Sequence, residues 1–270
     1  HGRHFFGNGY RSLLLSDYAP DYPYLSGQYL FLKSKIAYKH ITAWMHSRDR
    51  SPGSGISAET IYKRKTASFN MLSFSLNENL EFSFFEGVIH KSYEENLGSV
   101  SPDISFYVPI FGASNLVDKQ ESKINRVYGA SFSSLFLKEI EVYGQTMFHE
   151  SSNLGFQSGV KWLSPFQISN SFLLMEYNYI RPFSYSVDSS RILQTYTHNG
   201  HELAHPLGSG RSELIFKGYF EYRKFLLNLQ FSKIITEFGE DNQGADIFLP
   251  LSSSTIDMVK YNNTYSYVEL

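Results

Sequence analysis

From residue 67 onward, apolar and polar side chains alternate with a period of two, and no 3.6-residue period holds over a comparable length. The pattern is clearest at 154–163, where Leu154, Phe156, Val160 and Trp162 share a face with Ser158, opposite Gly155, Gln157, Gly159 and Lys161. Ser164-Pro165 ends that run, because proline cannot donate to a strand ladder. A second strand is predicted over 168–179, with Leu173, Met175, Tyr177 and Tyr179 opposed to Glu176 and Asn178. Segments 140–149, 213–223 and 225–236 alternate in the same way, and 67–76 with 80–90 reads as a hairpin around Asn77-Glu78-Asn79. The phase slips at Phe84-Phe85-Glu86, which predicts a β-bulge there. Weaker runs at 28–36, 38–46 and 265–270 bring the expectation to about eleven strands.

The predicted connections fall into two classes. Those at 37, 77–79, 138–139, 164–167 and 224 are very short, whereas 47–66, 91–123, 180–212 and 237–264 are long, with 150–153 the exception. Consecutive antiparallel strands place odd and even connections at opposite ends, so one end carries tight turns and the other long loops. That layout predicts an all-β, transmembrane, antiparallel up-and-down outer-membrane β-barrel. A soluble sandwich also alternates, but its strands usually run about 5–6 residues. The strands read here suit the roughly 9–11 residues that a tilted membrane strand needs. Trp162, Tyr177, Tyr179 and Tyr222 fall near strand ends on the apolar face, as an interfacial aromatic girdle requires. The last strand, ending Val268-Glu269-Leu270, has no obvious partner, so residues 1–270 read as one barrel segment cut off at both ends.

Composition sharpens this picture. The chain has 20 Tyr, 23 Phe and 2 Trp, only 19% charged residues, a net charge of -2 and no cysteine. Disulfide frameworks, thiol catalysis and cysteine zinc sites are excluded, and the charge balance carries no footprint for nucleic acid. No apolar run approaches the roughly 20 residues of a transmembrane helix. The start His1-Gly2-Arg3 has neither an initiator Met nor a basic-then-apolar leader, which reads as a processed or excised chain.

One motif invites chemistry. His201-Glu202-Leu203-Ala204-His205 matches H-E-x-x-H, which on a helix places two histidines on one face to hold zinc. Asn199-Gly200 before it and Pro206 after it argue against a helix, so the expectation is no metal and no catalytic residue. His198, His201 and His205 are instead expected to pack against Tyr196 and neighbouring aromatics. No cofactor is expected, since P-loop, Rossmann and G-x-S-x-G fingerprints are absent. Lys161, Glu176, Lys217, Glu221 and Arg223 fall on the lumenal side, where cross-strand pairing is favoured over a permeation path.

Two stretches then become familiar. The opening His1-Gly2-Arg3-His4-Phe5-Phe6-Gly7-Asn8-Gly9-Tyr10-Arg11-Ser12-Leu13-Leu14-Leu15-Ser16-Asp17 with Tyr22-Pro23-Tyr24-Leu25, and Tyr177-Asn178-Tyr179-Ile180-Arg181-Pro182, resemble the Wzi-type capsule-assembly family. Leu203-Ala204-His205-Pro206-Leu207-Gly208 and Asp246-Ile247-Phe248-Leu249-Pro250 extend the resemblance in the same order. It implies a lectin-like barrel in the bacterial outer membrane, near eighteen strands when complete, that helps retain capsular or exopolysaccharide. Its partners would be surface polysaccharide and outer-membrane lipid, with other envelope proteins as further candidates. Because sugars stack on aromatic rings and bind carboxylates and guanidinium groups, the candidate ligand residues are Tyr10, Arg11, Asp17, Arg181, Tyr185, His198 and His205. The alternatives are a structural or accessory part of a gliding-motility or secretion complex, and a general transport pore.

Overall fold

A computed structural model describes residues 1–50, 62–94, 97–102, 104–112, 124–149, 153–239, 243–249 and 259–269. Parts of the expected long connections at 47–66, 91–123 and 237–264, and most of 150–153, lie outside the described residues. The strands are β1 (Tyr24–Phe31), β2 (Ile36–Arg50), β3 (Tyr62–Asn77), β4 (Leu80–Lys91), the short pair β5 (Tyr93–Glu94) and β6 (Gly98–Ser99), and β7 (Ile124–Phe136). There follow β8 (Ile140–His149), β9 (Asn153–Leu163), β10 (Ser171–Ile180), the short pair β11 (Thr197–His198) and β12 (His201–Glu202), β13 (Arg211–Tyr222), β14 (Phe225–Phe238) and β15 (Val259–Glu269). Eleven of them form one sheet in the order β1-β2-β3-β4-β7-β8-β9-β10-β13-β14-β15, every neighbour antiparallel. Among the described residues β1 and β15 are edges and are not paired with each other.

The two classes of connection are present. Turns 32–35, 78–79, 137–139, 164–170 and 223–224 lie at one end, and the longer connections at the other. Several turns reverse the chain on non-glycine residues with positive φ, including Leu32, Lys33, Ser34, Leu137, Lys138 and Arg223. The first turn corrects the expected break at 37. Three successive left-handed residues end β1 at Phe31, several residues earlier than its apolar pattern suggested. The final strand is also corrected: β15 starts at Val259 and pairs with β14 along its length.

The sheet is curled. Laid flat, β2 and β14 would stand roughly 38 Å apart at 4.8 Å per strand, whereas the backbone from Phe6 to Tyr10 spans about 14 Å at most. Yet the Phe6 ring lies 5.4 Å from Lys39 Nζ on β2, and the Tyr10 hydroxyl donates to Gln230 Oε1 on β14 at 2.9 Å. Both contacts, made by strands far apart in the sheet order to five successive residues, fit strands that wrap round the N-terminal segment.

Curling sorts the side chains as the alternation predicts over β8 to β14. Gln145, Gln157, Glu176, Glu213 and Ser232 are buried on the concave face, while Phe148, Phe156, Met175, Phe216 and Phe231 stand exposed on the convex one. Over β2 to β4 the rule changes. Phe85 turns inward onto Phe6 with Phe69 stacked beside it, and Asn70 and Glu86 turn outward, yet Glu86 is fully buried. The expected bulge at Phe84-Phe85-Glu86 is therefore corrected. The β3–β4 register runs unbroken through Leu72↔Phe84, Met71↔Phe85 and Asn70↔Glu86, and its only shift is at Ser75/Asn77 beside the turn. The apparent slip comes from an inward phenylalanine next to an outward glutamate, not from an inserted residue. On β15, Tyr261 and Tyr265 share the face of Ser232 and Thr236, so aromatics are not confined to the convex side.

Candidate functional site

The concave space is filled by residues 1–23, which run from the loop end toward the turn end and back. Residues 6–15 fold into a compact loop: Phe6 N–H donates to Leu15 O at 2.9 Å, and Ser12 Oγ donates to Phe6 O at 2.6 Å. The same hydroxyl accepts from the Leu14 and Leu15 N–H groups, both at 3.2 Å. Gly7 has φ 119, a conformation that side-chain-bearing residues rarely adopt. At Gly9, a Cβ would stand 2.6 Å from Glu176 Oε2 and 2.9 Å from Arg11 O, so only glycine lets the loop approach the wall this closely.

Strand side chains take up the loop's backbone groups. Gln145 accepts from Leu13 N–H at 2.9 Å and donates to Phe6 O at 2.8 Å. Gln157 donates to Arg11 O at 2.8 Å. The fully buried Glu176 accepts from the Tyr10 and Arg11 N–H groups at 2.6 and 3.0 Å, from Tyr143 Oη at 2.8 Å and from Asn178 Nδ2 at 2.8 Å. Four donors converging on one carboxylate replace the water it gives up on burial. Arg11 then grips Glu213 with two parallel bonds of 3.1 Å, the planar fork that guanidinium groups make with carboxylates. Leu13, Leu14 and Leu15 are buried with Ile41, Phe69, Phe85, Val127 and Met147 of the strands.

The connection 181–210 closes over this segment from the loop end. Tyr185 Oη donates to Leu13 O at 2.8 Å and Tyr196 Oη to Leu14 O at 2.7 Å, their rings stacked 5.7 Å apart. Ser16 N–H donates to Leu203 O at 2.7 Å, and its hydroxyl to Ala204 O. The buried Lys65 ammonium donates to Thr195 O and Thr197 Oγ1, both at 2.9 Å.

Beside the plug lies a pocket of about 270 Å³ lined by Arg3, Phe5, Tyr10, Arg11, Ser12, Ser16, Asp17, Tyr18 and Pro206. Its floor is the buried hydroxyls of Ser12 and Ser16, and its rim the exposed Asp17, Tyr18 and Arg3. Arg3 is steadied by Asp21 at 3.0 Å and by the Asp17 carbonyl at 3.1 Å. The Tyr10 ring carries two cations, Arg11 at 4.9 Å and Lys217 Nζ at 4.5 Å from its centroid. An aromatic ring, a carboxylate and two guanidinium groups around a small polar cavity can stack on one face of a neutral ligand and pair with its hydroxyls.

Of the residues singled out from the sequence, Tyr10, Arg11 and Asp17 meet at this pocket. Arg181 is exposed and serves the fold through its backbone, donating to Leu154 O and accepting from Gly210 N–H. Tyr185, His198 and His205 are buried and shape the plug from behind. His198 packs edge-on to Tyr22 at 5.6 Å and near His46, with Nδ1 accepting from the His46 N–H at 3.2 Å. His205 Nδ1 accepts from Leu207 N–H at 3.3 Å, which leaves a proton on Nε2, 3.0 Å from Glu213 but off the hydrogen-bond line. Burial pushes the pKa of His198 down to about 4, and also lowers that of His205 against the pull of Glu213. Of the expected packing of the histidines on Tyr196 and neighbouring aromatics, His198 meets Tyr22 and His201 meets Tyr18, while His205 lies against Glu213. The H-E-x-x-H stretch runs through the β11–β12 hairpin and a bend, without a helical face.

Arg3, Phe5 and Tyr18 were not singled out from the sequence; the only signal was their nearness to Tyr10 and Asp17 in an aromatic- and arginine-rich opening. The charges expected to face a lumen are engaged with the sheet and the N-terminal segment. Lys161 pairs with Glu141 at 3.1 Å, Lys217 covers Tyr10, and Glu221 accepts from Tyr219 Oη at 3.2 Å.

No known protein family matches the chain, and no curated protein does. Among solved structures it is similar to Wzi, an outer-membrane protein involved in group 1 capsule assembly in Escherichia coli and described as a carbohydrate-binding β-barrel. The TM-score is 0.57 at 13% sequence identity, over 99% of this chain and 62% of that one. The likeness is one of fold, and the chain spans under two thirds of the length of that protein.

Proposed function

We propose that this chain forms the wall and internal plug of an outer-membrane β-barrel that binds surface polysaccharide in capsular or exopolysaccharide assembly or attachment, without catalysing a reaction. The observation that carries the membrane part is the inside-out distribution of side chains. Glu176 and Glu213 are buried on the concave face, while Phe148 and Met175 are 54% and 50% exposed on the convex one. In water that arrangement wastes apolar burial; in a bilayer it is the stable one. The polysaccharide part rests on the pocket rimmed by Arg3, Asp17 and Tyr18, and on the fold shared with a carbohydrate-binding barrel. The packed plug weighs against a general pore, since strand carboxylates and amides that would line a channel are taken up by residues 6–16.

The test pairs heat-modifiable gel migration of the purified protein with binding of purified capsular polysaccharide. A band that shifts on boiling and saturable glycan binding are expected. Migration unaffected by boiling overturns the barrel. Absence of glycan binding by a heat-modifiable protein overturns the lectin role, as does a persistent open channel in planar bilayers.

A further inference from the structure

The convex wall carries a polar island on β2, β3 and β4. Asn70 Oδ1 accepts from Tyr38 Oη at 2.7 Å and lies 2.7 Å from His40 Nδ1, while His40 Nε2 is 2.9 Å from Thr42 Oγ1. Asn70 Nδ2 donates to Glu86 Oε2 at 3.1 Å, and the Gly112 N–H donates to the same oxygen at 2.8 Å. These side chains share the outward face with Trp44, Phe82 and Phe84, yet His40, Thr42, Asn70 and Glu86 are buried. Glu86 also stands well up the wall. The strand from Leu80 at the turn end rises about 20 Å along its axis to Glu86, or roughly 15 Å along the barrel axis at a tilt near 40°. An apolar band of about 25 Å therefore brackets it.

Part of the cover is the segment 106–112. Phe106 packs with Val88 and Ile124 and lies edge-on to His90 at 5.5 Å. Gly112 brings the chain onto Glu86, with a positive φ of 78°. Between them Val108, Ile110 and Phe111 are exposed, Ile110 at 59%, and residues 104–112 contain no charged side chain. An acidic group at this height is unfavourable against acyl chains unless it is shielded, and an apolar segment is unfavourable in water unless something apolar meets it. One arrangement satisfies both.

We infer that residues 106–112 lie down the outside of the barrel within the hydrocarbon layer, as an apolar cover over the His40–Asn70–Glu86 island, and that the partner of Val108, Ile110 and Phe111 is lipid acyl chain. The exposed face of the cover continues the belt formed by Phe82, Phe84 and Phe132. This rests on the membrane-barrel reading and adds to it a connection that belongs to the lipid-facing wall.

The chain has no cysteine, so single reporters are unambiguous. Ile110→Cys, Phe111→Cys, Met175→Cys on the outer wall and Glu78→Cys in a turn would each carry a nitrobenzoxadiazole label. Each heat-modifiable variant goes into phosphatidylcholine vesicles containing lipid with a mid-chain nitroxide, with iodide as the aqueous quencher. The expected result is that labels at 110, 111 and 175 are quenched several-fold more by the nitroxide lipid than by iodide, with the reverse at 78. Quenching by nitroxide at 175 but by iodide at 110 and 111 overturns the cover and leaves the barrel standing. Iodide quenching at 175 as well overturns the membrane reading, and the cover with it.

Discussion

Arg11 and Glu213 are 202 residues apart in sequence and meet in a two-pronged ion pair inside the curled sheet. The carboxylate is almost wholly buried and the guanidinium mostly so. The pair joins a segment without regular structure to β13, and it holds Arg11 at the edge of the pocket while Glu176 fixes the backbone beside it. Anchoring and presentation are thus done by the same residues.

The pair predicts a large loss of stability when it is broken from one side. Arg11→Met leaves Glu213 buried beside a neutral His205, and removing one partner of a buried pair typically costs about 3–5 kcal/mol. The lower end is expected, because Arg11 retains some solvent contact. The temperature at which the heat-modifiable band disappears should fall clearly in Arg11→Met, and should largely recover in Arg11→Met with Glu213→Leu. An unchanged temperature in the single variant would show that the pair does not hold the plug.

Gly9 predicts a steric counterpart. An added Cβ meets Glu176 Oε2 at 2.6 Å and Gln157 Oε1 at 2.7 Å, and on its third side the Arg11 carbonyl, which belongs to the backbone and cannot swing away. Overpacking of this kind costs about 1–3 kcal/mol. Gly9→Ala is expected to loosen residues 6–16 while the strands stay paired. Limited proteolysis should then cut within the first twenty residues, with strand content by circular dichroism unchanged. Resistance equal to the parent's would count against a tightly seated plug.

How much of this could be read beforehand follows from where each residue's partners lie. The faces of 154–163 and 213–223 were legible because every other side chain there meets the same surroundings, so a period of two survives in the sequence. The plug was not legible, because Leu13, Leu14 and Leu15 have no period and their polar anchors, Gln145, Glu176 and Glu213, lie far along the chain. Glu86 misled for the same reason: its outward position makes sense only once Gly112 covers it. The end of β1 was misplaced because Leu32, Lys33 and Ser34 take positive φ without a glycine or asparagine to announce it. Of the seven residues expected to meet a ligand, Tyr10, Arg11 and Asp17 converge, since they are neighbours on one loop. Tyr185, His198 and His205 were drawn from a loop that turns inward, and nothing local in its sequence records that.

The buried histidines predict acid sensitivity. His198 titrates at about 4 in the folded protein, and His205 below its ordinary 6.5. As pH falls from 6.5 toward 4, the unfolded chain takes up protons that the folded chain refuses, so the histidine contribution to stability declines across that window. Glu202, raised by burial, acts in the opposite sense, its contribution being lost as pH rises. Melting temperatures between pH 4 and 8 should fall on the acid side, and His198→Gln should flatten the profile while preserving an acceptor for the His46 N–H. A His198→Gln profile parallel to the parent's would remove His198 from the account.

The pocket predicts a separation of binding from stability. Tyr18 is 48% exposed, its ring edge-on to His201 at 5.8 Å, while Asp17 and Arg3 are exposed at the rim. Tyr18→Ala removes a stacking face, and Asp17→Asn and Arg3→Ala each remove a charged hydrogen-bonding group. Losses of about 1–2 kcal/mol, on the order of tenfold in affinity for purified capsular polysaccharide, are expected for each. Because the Arg3 bonds to Asp21 and the Asp17 carbonyl are solvent-exposed and Tyr18 and Asp17 stand at the rim, the melting temperature should stay within a degree or two of the parent's. Tyr185→Phe should behave in the opposite way: it removes the bond to the Leu13 carbonyl and leaves a buried acceptor unpaired, lowering stability by about 1–3 kcal/mol with affinity little changed. Measuring both quantities on all four variants decides the matter. Affinity lost with Tyr185→Phe but kept with Tyr18→Ala, Asp17→Asn and Arg3→Ala would move the ligand away from this pocket and toward the connection 181–210.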